Sequence, residues 1–162
     1  YTFDTLTSLM ERCGFAVLEA SMVNRDTLSL VVRKRPQMET ENLLDCYVNL
    51  RSEMDTYMKY LKAWNKKVCM WGASHQGFTL AATTSLGKNV EYIIDSAPFK
   101  HGKFAPASHL PIVPPDYFEE HPVDAIVITA PGYTDEIAKI IRERFGDKIE
   151  IRAMRSNHLE MV

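Results

Sequence analysis

Four short strand candidates, Val68–Trp71, Glu91–Asp95, Ala125–Ala130 and Lys148–Met154, the first and third of them apolar throughout or nearly so, alternate with segments of helical character. The intervening helices are expected over Phe78–Leu86, ending at Gly87, over Pro115–Glu120, and after Thr134, where Ile137, Ile140 and Ile141 share one face and Thr134 supplies the cap. Runs this short, bounded by turn residues, suit strands buried on both faces. Such strands in alternation with helices form a parallel sheet covered on both sides. The expected fold class is therefore α/β over residues 68–162.

The first part of the chain follows different rules. Phe3, Leu6, Leu9 and Met10 recur at helical spacing, and Cys13-Gly14 makes a stop. Phe15–Met22 and Leu28–Val32 read as two strands around an Asn24-Arg25-Asp26 turn, an antiparallel hairpin. One helix and two strands are too few to be stable alone, so residues 1–35 are expected to pack on further polypeptide. Pro36 to Thr40 reads as a linker, with Thr40 capping the next helix and Glu41 in its first turn. Leu43, Tyr47, Leu50, Met54, Tyr57, Leu61 and Trp64 then mark a long amphipathic helix ending near Asn65-Lys66-Lys67. Residues 36–67 are thus expected to be a linker helix. Its stripe either covers the following domain, the favoured reading, or forms the seam of a homodimer.

Composition narrows the partners. The 162 residues carry a formal net charge of -2, so no basic excess points to nucleic acid. No apolar run approaches the roughly 18 residues of a membrane span, and no signal peptide is apparent. Cys13, Cys46 and Cys69 are scattered and form no Cys-x-x-Cys pair, which suits a reduced, cytoplasmic protein and argues against a metal site. The opening Tyr1-Thr2-Phe3, without Met and inside a helix entry, suggests a piece of a longer protein.

The densest chemical signal is Gly72-Ala73-Ser74-His75-Gln76-Gly77, placed between a strand and a helix. Glycine allows close approach to a ligand, and the amides of a helix's first turn attract anions. This segment either cradles a diphosphate, with Ser74, Gln76 and His75 assisting, or is a tight turn alone. Asp95 follows about twenty residues later, the place of a ribose-binding acid in dinucleotide folds. That keeps an NAD(P) reading open. Ser74 stands where that motif has a glycine and crowds a pyrophosphate, so a structural Asp95 that caps the next loop is the commoner alternative. Lys100, His101 and Lys103 surround Gly102 and suit a cationic loop over phosphates or a solvated surface loop. His109 either contacts substrate or, as favoured, bonds its own loop. Tyr133 lies at the carboxyl end of a strand, where it offers a ring for stacking on a base or sugar. No nucleophile–base pairing is recognisable, so no residue is assigned a catalytic role.

Taken in order, Trp71–Gly77, Ile94-Asp95-Ser96-Ala97-Pro98-Phe99-Lys100-His101-Gly102-Lys103, Pro106–Pro114, Asp124–Ile128 and Asp135-Glu136-Ile137 resemble the C-terminal domain of the S-adenosylmethionine (SAM)-dependent sugar C-methyltransferases. The resemblance covers about residues 68–155. It implies a Rossmann-like C-terminal domain, and makes residues 1–35 the helix and strand pair that end a class I methyltransferase domain. The family's Gly-Gly-Ser-Leu-like turn is replaced here by Asp26-Thr27-Leu28-Ser29-Leu30. By the same resemblance, the zinc-binding cysteines and the SAM-binding glycine loop belong upstream of Tyr1. SAM is therefore expected in an upstream domain and not in this segment, and the segment alone is expected not to methylate. In the family a base deprotonates the carbon beside a keto group, and the resulting carbanion or enolate attacks the SAM methyl.

The expected function is thus the C-terminal portion of a C-methyltransferase acting on a nucleotide-linked keto sugar, with substrate orientation as its role. The expected partners are the nucleotide sugar and the upstream methyltransferase domain. The competing readings are an independent NAD(P)-binding module and a structural or dimerisation domain.

Overall fold

The computed structural model describes residues 1–35, 41–155 and 157–162. The expected linker Pro36–Thr40, with its Thr40 cap, lies outside the described residues. The chain forms two compact units, Tyr1–Glu41 and Asn42–Val162.

In the first unit, α1 (Phe3–Arg12) starts at Thr2, whose hydroxyl accepts from the Thr5 amide while the Thr5 hydroxyl accepts from the Thr2 amide. This reciprocal cap satisfies two otherwise orphaned donors. Gly14, at φ +85°, turns the chain into β1 (Phe15–Val23), which pairs antiparallel with β2 (Thr27–Lys34). A bulge between Val17 and Glu19 leaves Leu18 out of register and 56% exposed. No residue of 1–35 is fully buried, so this unit has no core of its own.

The second unit is a six-stranded sheet in the order β5-β4-β3-β6-β7-β8. Its strands are β3 (Val68–Trp71), β4 (Val90–Ile94), β5 (Ile112–Val113), β6 (Ala125–Ile128), β7 (Glu150–Arg155) and β8 (His158–Met161). All neighbours are parallel except the β7–β8 pair at the edge. With helices on both faces, this is the Rossmann-like α/β architecture expected from the sequence.

Strand pleating divides the core in two. Val68 and Met70 of β3 face one cluster, with Leu50, Met54, Met58 and Leu61 of α2 (Glu41–Ala63) and Leu80 of α3 (His75–Thr83). Cys69 and Trp71 face the other, with Phe118 of α5 (Tyr117–Glu120) and Ile137, Ala138 and Ile141 of α6 (Thr134–Phe145). The middle of the α2 stripe therefore lies in the sheet's core. Its ends do not: Leu43 is 60% and Trp64 69% exposed.

Three local expectations need correcting. The helix expected at Phe78–Leu86 begins at His75, because Ser74 caps it, and it stops at Thr83. The chain turns at Thr84, the Asp55 carboxylate accepts from the Ser85 amide, and Gly87 lies inside a separate short α4 (Leu86–Asn89). Thr134 does not cap α6: it is the first helical residue, and its hydroxyl donates to the Pro131 carbonyl. Strands β5 and β8 are additions, too short to give a periodic signal.

The second cluster makes stability depend on pH. Burial pushes the Cys69 thiol well above its ordinary range and does the same to the Tyr92 hydroxyl, whose neighbour Cys69 adds to the effect. The Tyr92 hydroxyl donates to the His121 carbonyl at 2.5 Å. In the unfolded chain these groups ionise near about 8.5 and 10. Above those values the unfolded state sheds protons that the folded state retains, so the contribution of these two groups is constant below about pH 8 and lowers stability as pH rises further. Each group contributes a slope of up to about 1.4 kcal/mol per pH unit. Urea midpoints from pH 8 to 10.5 are expected to fall, and to fall less steeply in Cys69→Ala. Equal slopes in the two proteins would refute the assignment.

Candidate functional site

The order of strands places β3 next to both β4 and β6, so successive crossovers leave β3 in opposite directions. Ligands of open α/β sheets bind outside the carboxyl ends of strands at such a reversal. A cavity of about 420 Å³ opens there, within the range of small-ligand pockets. Trp71, Ala130, Ile137 and Ile140 give it apolar walls, and Asp95, Lys100, Glu136 and Tyr133 border it.

Glycines permit the geometry. Gly72 follows β3 at φ +119°, and a Cβ there would lie 3.0 Å from the Ala130 Cβ. A Cβ on Gly77 would come within 2.7 Å of both the Gly72 carbonyl oxygen and Thr129 Oγ1. The glycines thus bring α3 down onto the crossover and onto the end of β6. Thr129, fully buried, donates to the Gly72 carbonyl at 2.9 Å. Ser74 Oγ accepts from the Gly77 amide and donates to the Thr129 carbonyl at 3.1 Å.

Asp95 ties the turn to the next loop. Its Oδ2 accepts from the Ala73 amide at 2.8 Å and from Lys100 Nζ at 2.9 Å, and its Oδ1 accepts from the Ala97 amide at 2.9 Å. Lys100 Nζ also donates to the Ala73 carbonyl at 2.9 Å. His101 Nε2 sits 2.7 Å from the Asp95 carbonyl oxygen. Of the two sequence readings of Asp95, the geometry is that of the structural one: the carboxylate is 8% exposed and engaged by three donors.

The expected site residues are therefore divided. Gly72, Ser74, Asp95, Lys100 and Tyr133 line the crevice. The amides of Gly72, Ala73 and Gly77 are taken by Ile94, Asp95 and Ser74 respectively. Those of Ser74, His75 and Gln76 have no partner among the described residues. The His75 and Gln76 side chains line a separate cavity of about 300 Å³ on the α2 side, with Tyr47, Leu50 and Met154. Lys103 and His109 are exposed and line neither cavity, and His109 bonds its own loop through its amide to Ala105.

Sequence reasoning missed Thr129, Ser96 and Glu136. Thr129 had a signal: it is the one polar residue in Ala125–Ala130. Among the described residues no group of three His, Cys, Asp or Glu is placed to hold a metal, and no helix is long and apolar enough to cross a membrane.

No curated protein matches the chain. A solved structure with a similar fold is the UDP-D-quinovosamine 4-dehydrogenase from Vibrio fischeri, 20% identical over 60% of this chain and 93% of that one, at a TM-score of 0.49. The family model described as "C-methyltransferase C-terminal domain" matches residues 41–149, well over half of the chain, and the protein belongs to that family.

Proposed function

We propose that this chain is the substrate-holding end of a SAM-dependent C-methyltransferase acting on a nucleotide-linked keto sugar. The observation that carries the reading is the crevice at the strand-order reversal, lined by Ser74, the first of three residues opening α3 whose amides have no partner among the described residues. The amides of Ser74, His75 and Gln76 would meet the diphosphate, and the helix dipole favours the same charge. Held on a rigid sheet, the sugar would be presented in one orientation, which is the contribution such a domain makes to rate.

SAM and NAD(P) do not fit this crevice. Both carry a ribose whose hydroxyl pair is held by an acid at the end of the second strand. Here that acid is Asp95, and its oxygens are already occupied by Ala73, Ala97 and Lys100. We therefore place SAM binding and the methyl-transfer chemistry on an upstream methyltransferase domain. The coreless helix and hairpin of residues 1–35 would be the end of that domain, which fits their lack of any buried residue.

Calorimetry of the 162-residue chain with a thymidine-diphosphate sugar, SAM and NADH tests the proposal. Heat is expected with the nucleotide sugar and with neither cofactor. Saturable heat with NADH, and none with the sugar nucleotide, would replace this reading with the dinucleotide one.

A further inference from the structure

We propose that the groove between α2 and the β7–β8 edge is a second binding site, and that it takes a neutral polyhydroxylated ring, a free saccharide. The groove shares no residue with the crevice at Gly72 and Asp95, and the proposal is independent of what that crevice holds. Its walls follow from two periodicities. Glu53, Thr56, Tyr57 and Tyr60 share one face of α2. On β7, Ile151 and Ala153 belong to the core cluster on the α6 side, so pleating turns Glu150 and Arg152 toward α2. The enclosed cavity is about 510 Å³, within the range of small-ligand sites.

The cavity is bordered by polar groups left open. Tyr57 is 6% exposed, yet its hydroxyl makes no hydrogen bond among the described residues. Burial, with Glu150 nearby acting the same way, raises its ionisation well above the ordinary range, so it stays an O–H donor. Buried polar atoms almost always have a partner, and the cavity is the side from which one can come. The Arg152 guanidinium lies 5.0 Å from the centre of the Tyr57 ring and spends Nε on Glu150 at 3.4 Å. Its two Nη groups have no partner among the described residues, and neither do the Ser52 and Thr56 hydroxyls. Glu53 gives one oxygen to the Leu159 amide at 2.7 Å and keeps the other.

Charge decides the class of ligand. Glu150 is paired with Lys66 at 3.3 Å and with Arg152 at 3.4 Å. Two carboxylates, Glu53 and Glu150, thus stand against two cations. An anion drawn to Arg152 meets both carboxylates, and a cation drawn to Glu53 meets Arg152, so neither gains much. The open groups are instead a mixture of donors and acceptors. A sugar hydroxyl is both at once and can satisfy either kind. The exposed Tyr60 ring, with Leu159 and Met161 of β8, offers an apolar surface for the C–H face of such a ring.

Backbone NMR spectra of the 162-residue chain, titrated with methyl glucoside, methyl galactoside, N-acetylglucosamine, acetate and methylammonium, test the proposal. At least one saccharide is expected to shift Tyr57, Tyr60, Arg152 and Leu159 saturably and to leave Trp71 and Tyr133 in place. Acetate and methylammonium are expected to leave all six in place. Tyr57→Phe is expected to weaken saccharide binding about fivefold, the scale of one lost hydrogen bond. Its urea midpoint should not fall, because the hydroxyl it removes satisfies no other group. A lower midpoint would give that hydroxyl a structural partner and overturn the proposal. Saccharide binding unchanged in Tyr57→Phe, or four signals that no saccharide moves, would overturn it too. If acetate or methylammonium moves them, the groove is a charge site and not a saccharide site. If saccharides move only Trp71 and Tyr133, the groove is no site, and the nucleotide-sugar reading of the crevice stands.

Discussion

Gly72→Ala is expected to lower the stability of the sheet unit by roughly 2–5 kcal/mol, combining left-handed backbone strain with overpacking against β6. Two effects coincide at this position. The residue sits at φ +119°, where a side chain is strained whatever the space around it. Its new methyl would also lie 3.0 Å from the Ala130 Cβ and 3.3 Å from the Ala130 amide nitrogen, so relief requires moving backbone. A loss of this size shifts the thermal midpoint by roughly 5–15 °C in a domain of this length. Urea unfolding followed through Trp71, 2% exposed at the site itself, would read the change. Gly132→Ala is the control, because nothing lies within 4 Å of the Cβ it would add and its backbone is not left-handed. That variant should stay within about 0.5 kcal/mol of the parent. A Gly72→Ala protein as stable as Gly132→Ala would show that the crossover is not as closely packed as described.

The same glycine illustrates what the sequence makes legible. Val68-Cys69-Met70-Trp71 announces a strand buried on both faces, and a glycine directly after it announces a close approach. The sequence does not say what approaches. A ligand and a neighbouring strand both require the missing Cβ, and at Gly77 the neighbour is Thr129, 52 residues away in the chain. Asp95 carries the same ambiguity. Its position at the end of the second strand fits a ribose contact and a loop latch equally, and the choice rests on where Lys100 and two backbone amides fall. Long periodic segments are different. The α2 stripe from Leu50 to Leu61 is read from spacing alone, since about three turns of apolar residues leave one face to bury. Strands β5 and β8, with two and four residues, have no period to detect and exist because the sheet offers them an edge. Glu136 was hidden for another reason: in the first turn of a helix an acid is satisfied by the dipole, and only the cavity beside it suggests a further use.

Asp95→Asn is expected to cost roughly 2–4 kcal/mol, less than the 3–5 of a fully buried broken ion pair. The reduction arises because the Lys100 side chain is 30% exposed and can turn its ammonium toward water. The remaining cost is geometric. Asp95 accepts from Ala73 and Ala97 with different oxygens, and an asparagine offers one oxygen and one amide nitrogen. One backbone N–H must then face another donor, in a position 8% exposed to solvent. Replacing Lys100 by Met in the same chain removes the orphaned ammonium but not the donor clash. The double variant should therefore recover part of the loss, with a coupling of about 1–2 kcal/mol between the two positions. Urea midpoints of the four proteins close this cycle. The result also separates a latch from a ligand contact. A ribose-binding Asp95 has little to hold in the free protein, so its loss would weaken ligand binding and leave the midpoint where it was. A latch lowers the midpoint with no ligand present, and Lys100→Met lowers it too, because Asp95 then stays buried without its cation. An unchanged midpoint in Asp95→Asn would reopen the dinucleotide reading, since the carboxylate would then be free to meet a ribose.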